Sequence, residues 1–169
     1  MEKKIYEWAA DKLLEWDLEK ISVLGFFVGE FDEDVIDLIF ASNFWEQYDE
    51  IEEKEECWNI ACWEGEEGNI TEECVSSSEL ICWLNAKGIK QVGKLNDDSF
   101  YNNGLKETIE LLKTVVLKLH KDVIQKQLGH DIPILISDFE YAEEYLNITK
   151  EVNEESVIQD FVDWYISGE

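Results

Sequence analysis

The run Ile21-Ser22-Val23-Leu24-Gly25-Phe26-Phe27-Val28-Gly29 constrains the fold more than any other feature of the chain. Its apolar residues fall on odd and even positions alike, and successive side chains of a strand point to opposite faces. A strand of this composition needs apolar cover on both sides of its sheet. Glu30-Phe31-Asp32-Glu33-Asp34 interrupts it as a charged turn. Residues 35–41, Val-Ile-Asp-Leu-Ile-Phe-Ala, then resume as a second strand, the hairpin partner of the first.

Helical spacing supplies the cover. Ile5, Trp8, Ala9, Leu13 and Trp16 form one stripe and predict a helix over 3–19. Ser76 and Glu79 form a capping-box pattern ahead of Leu80, Trp83 and Leu84, with Gly88 as the stop. Leu105, Ile109, Leu112, Val116, Leu119 and Val123 step by three and four, which predicts a long helix over about 103–128, ended by Gly129. Residues 88–104, with Asn96-Asp97-Asp98 and Asn102-Asn103-Gly104, read as a turn-rich connection. Two short helices close the chain. One covers roughly 139–147, and the other follows Asn153 as N-cap, with Val157, Ile158, Phe161 and Tyr165 inward.

Further strands are expected at Cys57–Trp63, from its alternation, and at Ile132-Pro133-Ile134-Leu135-Ile136. The proline puts the latter at an edge, because it removes a ladder donor. Residues 43–56 are acidic with scattered aromatics and read as a helix or loop over the sheet, and Glu64-Gly65-Glu66-Glu67-Gly68-Asn69 as an irregular turn. The sum is a single α+β domain over 1–169, with a mainly antiparallel sheet of three to four strands packed with helices.

Charge narrows the function. The 169 residues hold 40 acids against 14 basic residues, all lysine, for a net charge of −26. A surface of this sign does not bind the phosphate backbone or adsorb to anionic membranes, so neither nucleic acid nor membrane is an expected partner. Residues 30–73 hold 17 acids and Lys54, a net of −16, whereas 80–130 hold five acids and eight lysines, a net of +3. If the first three strands form a meander, the turn at 32–34 and the turn at 64–67 fall at one end of the sheet and their fields add. Such a field suits a basic partner. The candidate partner-binding residues are therefore Asp32, Glu33, Asp34, Glu50, Glu52, Glu53, Glu64, Glu66 and Glu67, with Trp45 and Tyr48 as aromatic anchors. Trp58 reads as core.

Catalytic chemistry finds little purchase. A nucleophilic Ser or Cys needs a His base. Of the two histidines, His120 flanks the stripe of the long helix as a packing residue, and His130 sits in the turn Gly129-His130-Asp131. Asp138 follows the Ile-rich strand, a position for an N-cap or turn residue. No Cys-x-x-Cys occurs among Cys57, Cys62, Cys74 and Cys82, so the expectation is free thiols in a reducing cytosol, with no metal and no cofactor. No segment has the roughly 18 consecutive apolar residues of a membrane span, and the acidic N-terminus lacks a signal-peptide core. The protein is accordingly expected to be cytoplasmic and not an enzyme.

The pattern resembles the small acidic bacterial immunity proteins that accompany polymorphic or contact-dependent toxins. The resemblance rests on the N-terminal helix, on Val23-Leu24-Gly25-Phe26-Phe27-Val28 and Asp37-Leu38-Ile39-Phe40-Ala41-Ser42-Asn43, on Cys57-Trp58-Asn59-Ile60-Ala61-Cys62-Trp63, and on Ile134-Leu135-Ile136-Ser137-Asp138 and Phe161-Val162-Asp163-Trp164. It implies a protein that binds a cognate toxin domain and blocks its active site, without catalytic residues of its own. A cationic toxin, with a nuclease as the first candidate, fits the charge. The second reading is a nucleic-acid mimic that inhibits a DNA-binding protein, and the third is an enzyme using Asp138 or His130.

Overall fold

β1 (Val23–Phe31) is hydrogen-bonded to a neighbour on each side, and its two-sided apolar pattern is met by packing on both faces. The computed structural model describes residues 1–31, 35–44, 58–63, 65–90, 98–138 and 143–167, without the side chains of 61 and 98–100. β1 pairs antiparallel with β2 (Ile36–Asn43), from Val23 opposite Asn43 to Phe31 opposite Ile36. On its other side it pairs parallel with β4 (Ile134–Asp138), Leu24 lying opposite Ile134. A three-residue β3 (Glu67–Asn69) adds antiparallel to β2, which gives the order β3-β2-β1-β4. The fold is α+β, a mixed but mostly antiparallel four-stranded sheet packed with helices.

Leu24, Phe26 and Val28 of β1 face the larger core. α1 (Glu2–Glu15) lays Ile5, Ala9 and Leu13 into it. Phe40 of β2 stacks on Phe26 at 4.5 Å and on Trp16 at 5.1 Å, ring pairs each worth about 0.5–1.5 kcal/mol beyond area burial. α1 stops at Glu15, short of residue 19, because Trp16 turns extended at φ −79° and ψ 150° and carries its ring inward onto Phe40. α2 (Ile70–Glu73) and α3 (Ser77–Ala86) follow β3. The capping box at Ser76 and Glu79 is formed, and Gly88 takes the left-handed φ of 88° just after the helix.

α4 (Asp98–Leu119) buries Leu105, Ile109, Leu112, Val116 and Leu119, and the π turn His120–Ile124 that continues it buries Val123. α5 (Gln125–Leu128) ends at Gly129, φ 74°. The helix begins earlier than the glycine and asparagines at 102–104 predict. Gly104 serves close packing here instead of a turn: a Cβ on it would lie 3.1 Å from the Phe31 ring and 3.4 Å from Leu84.

The opposite face is covered by segments from the middle and the C-terminal part of the chain. Val23 and Leu135 pack with Trp58, Leu146 and Phe161, and Phe27 packs with Ala41 and Ile60. α6 (Glu143–Val152) lies along the β4 edge and α7 (Glu155–Ser167) brings Ile158 and Phe161 inward, with Val157 and Tyr165 half-buried. The predicted helix at 139–147 runs on to Val152, carried by the buried stripe Tyr145, Leu146, Thr149 and Val152, while 139–142 lie outside the described residues. Asn153 is not an N-cap. Its amide instead pairs with the backbone of Ile134, as donor and as acceptor, both at 2.9 Å.

The expected third strand at 57–63 does not form. Within it, Ile60–Cys62 is a 3-10 turn whose backbone bonds stay local, Cys62 N–H to Asn59 at 2.9 Å and Trp63 N–H to Ile60 at 3.1 Å. Trp58 is core, 5.5 Å from the Phe161 ring. The place beside β2 is taken by residues 67–69, which read as an irregular turn. Gly68 makes this possible, because the Trp8 ring lies where a side chain would project, 2.9 Å from an ideal Cβ. Cys62, Cys74 and Cys82 are free thiols, and Cys57 lies outside the described residues. Among the described residues no helix is long and apolar enough to cross a membrane.

Candidate partner-binding surface

The β2–β3 register decides which side chains share the second face of the sheet. Ala41 lies opposite Glu67 and Ile39 opposite Asn69. Across β1, Phe27 lies opposite Ile39. Directly opposed residues project to the same side, so Phe27, Ile39, Ala41 and Glu67 stand together. Trp63 closes the group, its ring edge-on to Phe27 at 5.2 Å. The result is a pocket of about 70 Å³ with an apolar floor and Glu66 and Glu67 in its wall.

Short local bonds hold that wall. The Ser42 hydroxyl accepts from the Glu66 N–H at 2.9 Å, and the Ser42 N–H donates to the Glu66 carbonyl at 2.8 Å. Gly65 lies so close to β2 that a Cβ would come within 1.9 Å of the Ser42 carbonyl oxygen. At the other end of β3, the Asp37 carboxylate accepts from the Asn69 amide at 2.8 Å and from the Thr71 hydroxyl at 3.1 Å. Asn69 in turn caps α2, accepting from the N–H groups of Thr71 and Glu72.

The described cations mostly sit in ion pairs on the helices. Lys3, Lys4, Lys12, Lys20, Lys87, Lys113, Lys118 and Lys126 each contact a carboxylate, mostly on the helices. Of the described acids in 30–73, Glu73 has such a partner, Lys12 at 2.7 Å. The hydrogen bond between them lowers the Glu73 pKa and raises that of Lys12, which also feels the charge of Glu66. Glu30, Glu66, Glu67 and Glu72 have no cation within 4 Å among the described residues.

Of the residues singled out from the sequence, Glu66 and Glu67 are brought together beside the pocket. Asp32, Glu33, Asp34, Trp45, Tyr48, Glu50, Glu52, Glu53 and Glu64 lie outside the described residues. The meander that would unite two acidic turns at one end is not formed. Residues 65–66 precede β3 instead of following a third strand, and they sit beside Ser42. Phe31 and Ile36, which flank the β1–β2 connection, are six positions along β1 from the Gly25–Ala41–Glu67 row, roughly 20 Å away. Ile39 and Trp63, which floor and wall the pocket, were not candidates. Their signal is an apolar residue two positions after Asp37, on the same strand face, and an aromatic next to Glu64, but only the register joins them.

Asp138 and His130 do not share a site. His130 precedes β4 and Asp138 ends it, so at least the strand's length, roughly 13 Å, separates them. His120 is buried, its Nδ1 3.0 Å from Asp131, which also accepts from Gln125 at 2.6 Å. This cluster ties the π turn to the segment entering β4. Burial, and then the Asp138 charge, push the Tyr145 phenol well above its usual range. Among the described residues no three carboxylates, thiols or imidazoles come together as a metal site.

No protein-family model matches the chain, and no curated protein or solved structure is significantly similar to it. The likeness to immunity proteins therefore rests on sequence pattern alone.

Proposed function

We propose that the chain is a cytoplasmic immunity-type inhibitor that neutralises a cationic toxin domain, a nuclease in the first instance, through an acidic face. The observation that carries this is the segregation of charge. Residues 30–73 hold a net of −16, and eight of the described lysines contact carboxylates, mostly on the helices, whereas among the described residues Glu30, Glu66, Glu67 and Glu72 have no cation within 4 Å. Unbalanced charge of one sign raises self-repulsion and is useful when it meets the opposite sign. A nuclease must hold phosphates and so carries lysines and arginines around its active site. An acidic inhibitor can occupy that surface, with association steered by long-range attraction.

The test is co-expression with the polypeptide encoded by the neighbouring gene. A stoichiometric complex and restored growth of cells that express the partner are the expected results. Absence of both would contradict the proposal.

A further inference from the structure

The pocket between β1, β2 and β3 has a shape and polarity that select one kind of side chain. Its floor is Phe27, Ile39 and Ala41, Trp63 stands over one side, and Glu67 shares the face through its pairing with Ala41. Its volume of about 70 Å³ admits more than a single water and gives room for a slender side chain. Lysine buries an aliphatic stem along apolar surface while its charged head stays wet. A neutral apolar side chain would fill the floor and leave Glu67 unanswered. An acidic one would meet a carboxylate.

We infer that this pocket receives a lysine side chain of the partner, its stem on Phe27, Ile39 and Trp63 and its ammonium on Glu67. The inference rests on the immunity-type reading and gives that interface an anchor. Glu67 supplies the charge complementarity: it is exposed and has no described cation within 4 Å. Lys12, on α1, is held by Glu73 at 2.7 Å and does not occupy the pocket. The anchor is half apolar and half ionic, so it adds contact area to a surface that otherwise acts at a distance.

The probe is Nα-acetyl-lysine methylamide, compared with its neutral counterpart Nα-acetyl-norleucine methylamide. Both are titrated into the isotopically labelled full chain and followed by NMR at the amides of Ile39, Ala41 and Glu67 and the indole of Trp63. Saturable shifts confined to these signals are expected, with the lysine compound binding about three- to fivefold more tightly, the size of one partly exposed ion pair. Glu67→Gln should erase that preference and leave norleucine binding unchanged, and Ile39→Ser should weaken both. Equal binding of the two compounds, or lysine-induced shifts that Glu67→Gln does not alter, would overturn the inference. An octalysine peptide separates the two readings. If it binds in a salt-dependent way while the pocket signals stay still, the pocket assignment fails and the acidic-surface reading stands. If the lysine compound fills the pocket but the neighbouring gene's product is not bound, the pocket stands and the immunity-type reading fails.

Discussion

The side-chain amide of Asn153 accepts from the N–H of Ile134 and donates to its carbonyl, and the Thr149 hydroxyl does the same for Ile136 at 3.1 and 3.2 Å. Even-numbered residues of β4 point their peptide groups away from β1, so these two side chains stand in for a missing neighbouring strand. An edge with its donors and acceptors satisfied is no template for further pairing. Replacing Asn153 by Ala strands both groups of Ile134 at a partly buried edge and should cost about 1–3 kcal/mol. Urea unfolding measures this, and an unchanged midpoint would refute the role. The asparagine's place after a short helix was visible in the sequence, but its reading as an N-cap was not the right one. Asparagine bonds backbone of many kinds, and which backbone lies within reach is a tertiary matter.

α4 is the element most fully written in the sequence, because each of the six stripe residues is buried when the helix rests on the sheet. Leu112 is wholly buried, and Leu112→Ala should cost about 2–5 kcal/mol. Leu117, on the far side and 53% exposed, should tolerate Ala within about 0.5 kcal/mol. Thermal melts of the two variants check the orientation; equal losses would mean the helix is rotated. β3 lies at the other extreme. Glu67-Gly68-Asn69 has no alternation and little strand propensity. It is a strand because β2 offers an edge, Ser42 grips Glu66, and Gly68 admits the Trp8 ring. The candidate surface divides in the same way. Its charge is legible in composition, whereas its pocket depends on a register that no local pattern encodes.

For the whole molecule the governing quantity is the net charge of −26. Self-repulsion of that size destabilises the compact state, and salt screens it over about 8–10 Å at ordinary ionic strength. The melting temperature at neutral pH should therefore rise between low salt and about 0.2 M NaCl; a fall would mean that the helix ion pairs outweigh the repulsion. Acid has two opposed effects. Glu73 and Glu79 have folded pKa values below the ordinary 4.5, Glu73 chiefly through Lys12 and Glu79 through the Ser76 N–H and then Lys4. Their stabilisation is complete above that value and is lost as pH falls through the lowered folded values. Protonation of the many other carboxylates relieves repulsion over the acid range. The central claim is that the carboxylates with no cation within 4 Å among the described residues steer a cationic partner. Stopped-flow association with the neighbouring gene's product, at several salt concentrations, tests it most directly with a chain carrying Glu30→Gln, Glu66→Gln, Glu67→Gln and Glu72→Gln. The predicted result is association slowed by about tenfold, a flatter salt dependence and a dissociation rate that changes less. An association rate indifferent to both salt and the substitutions would contradict it.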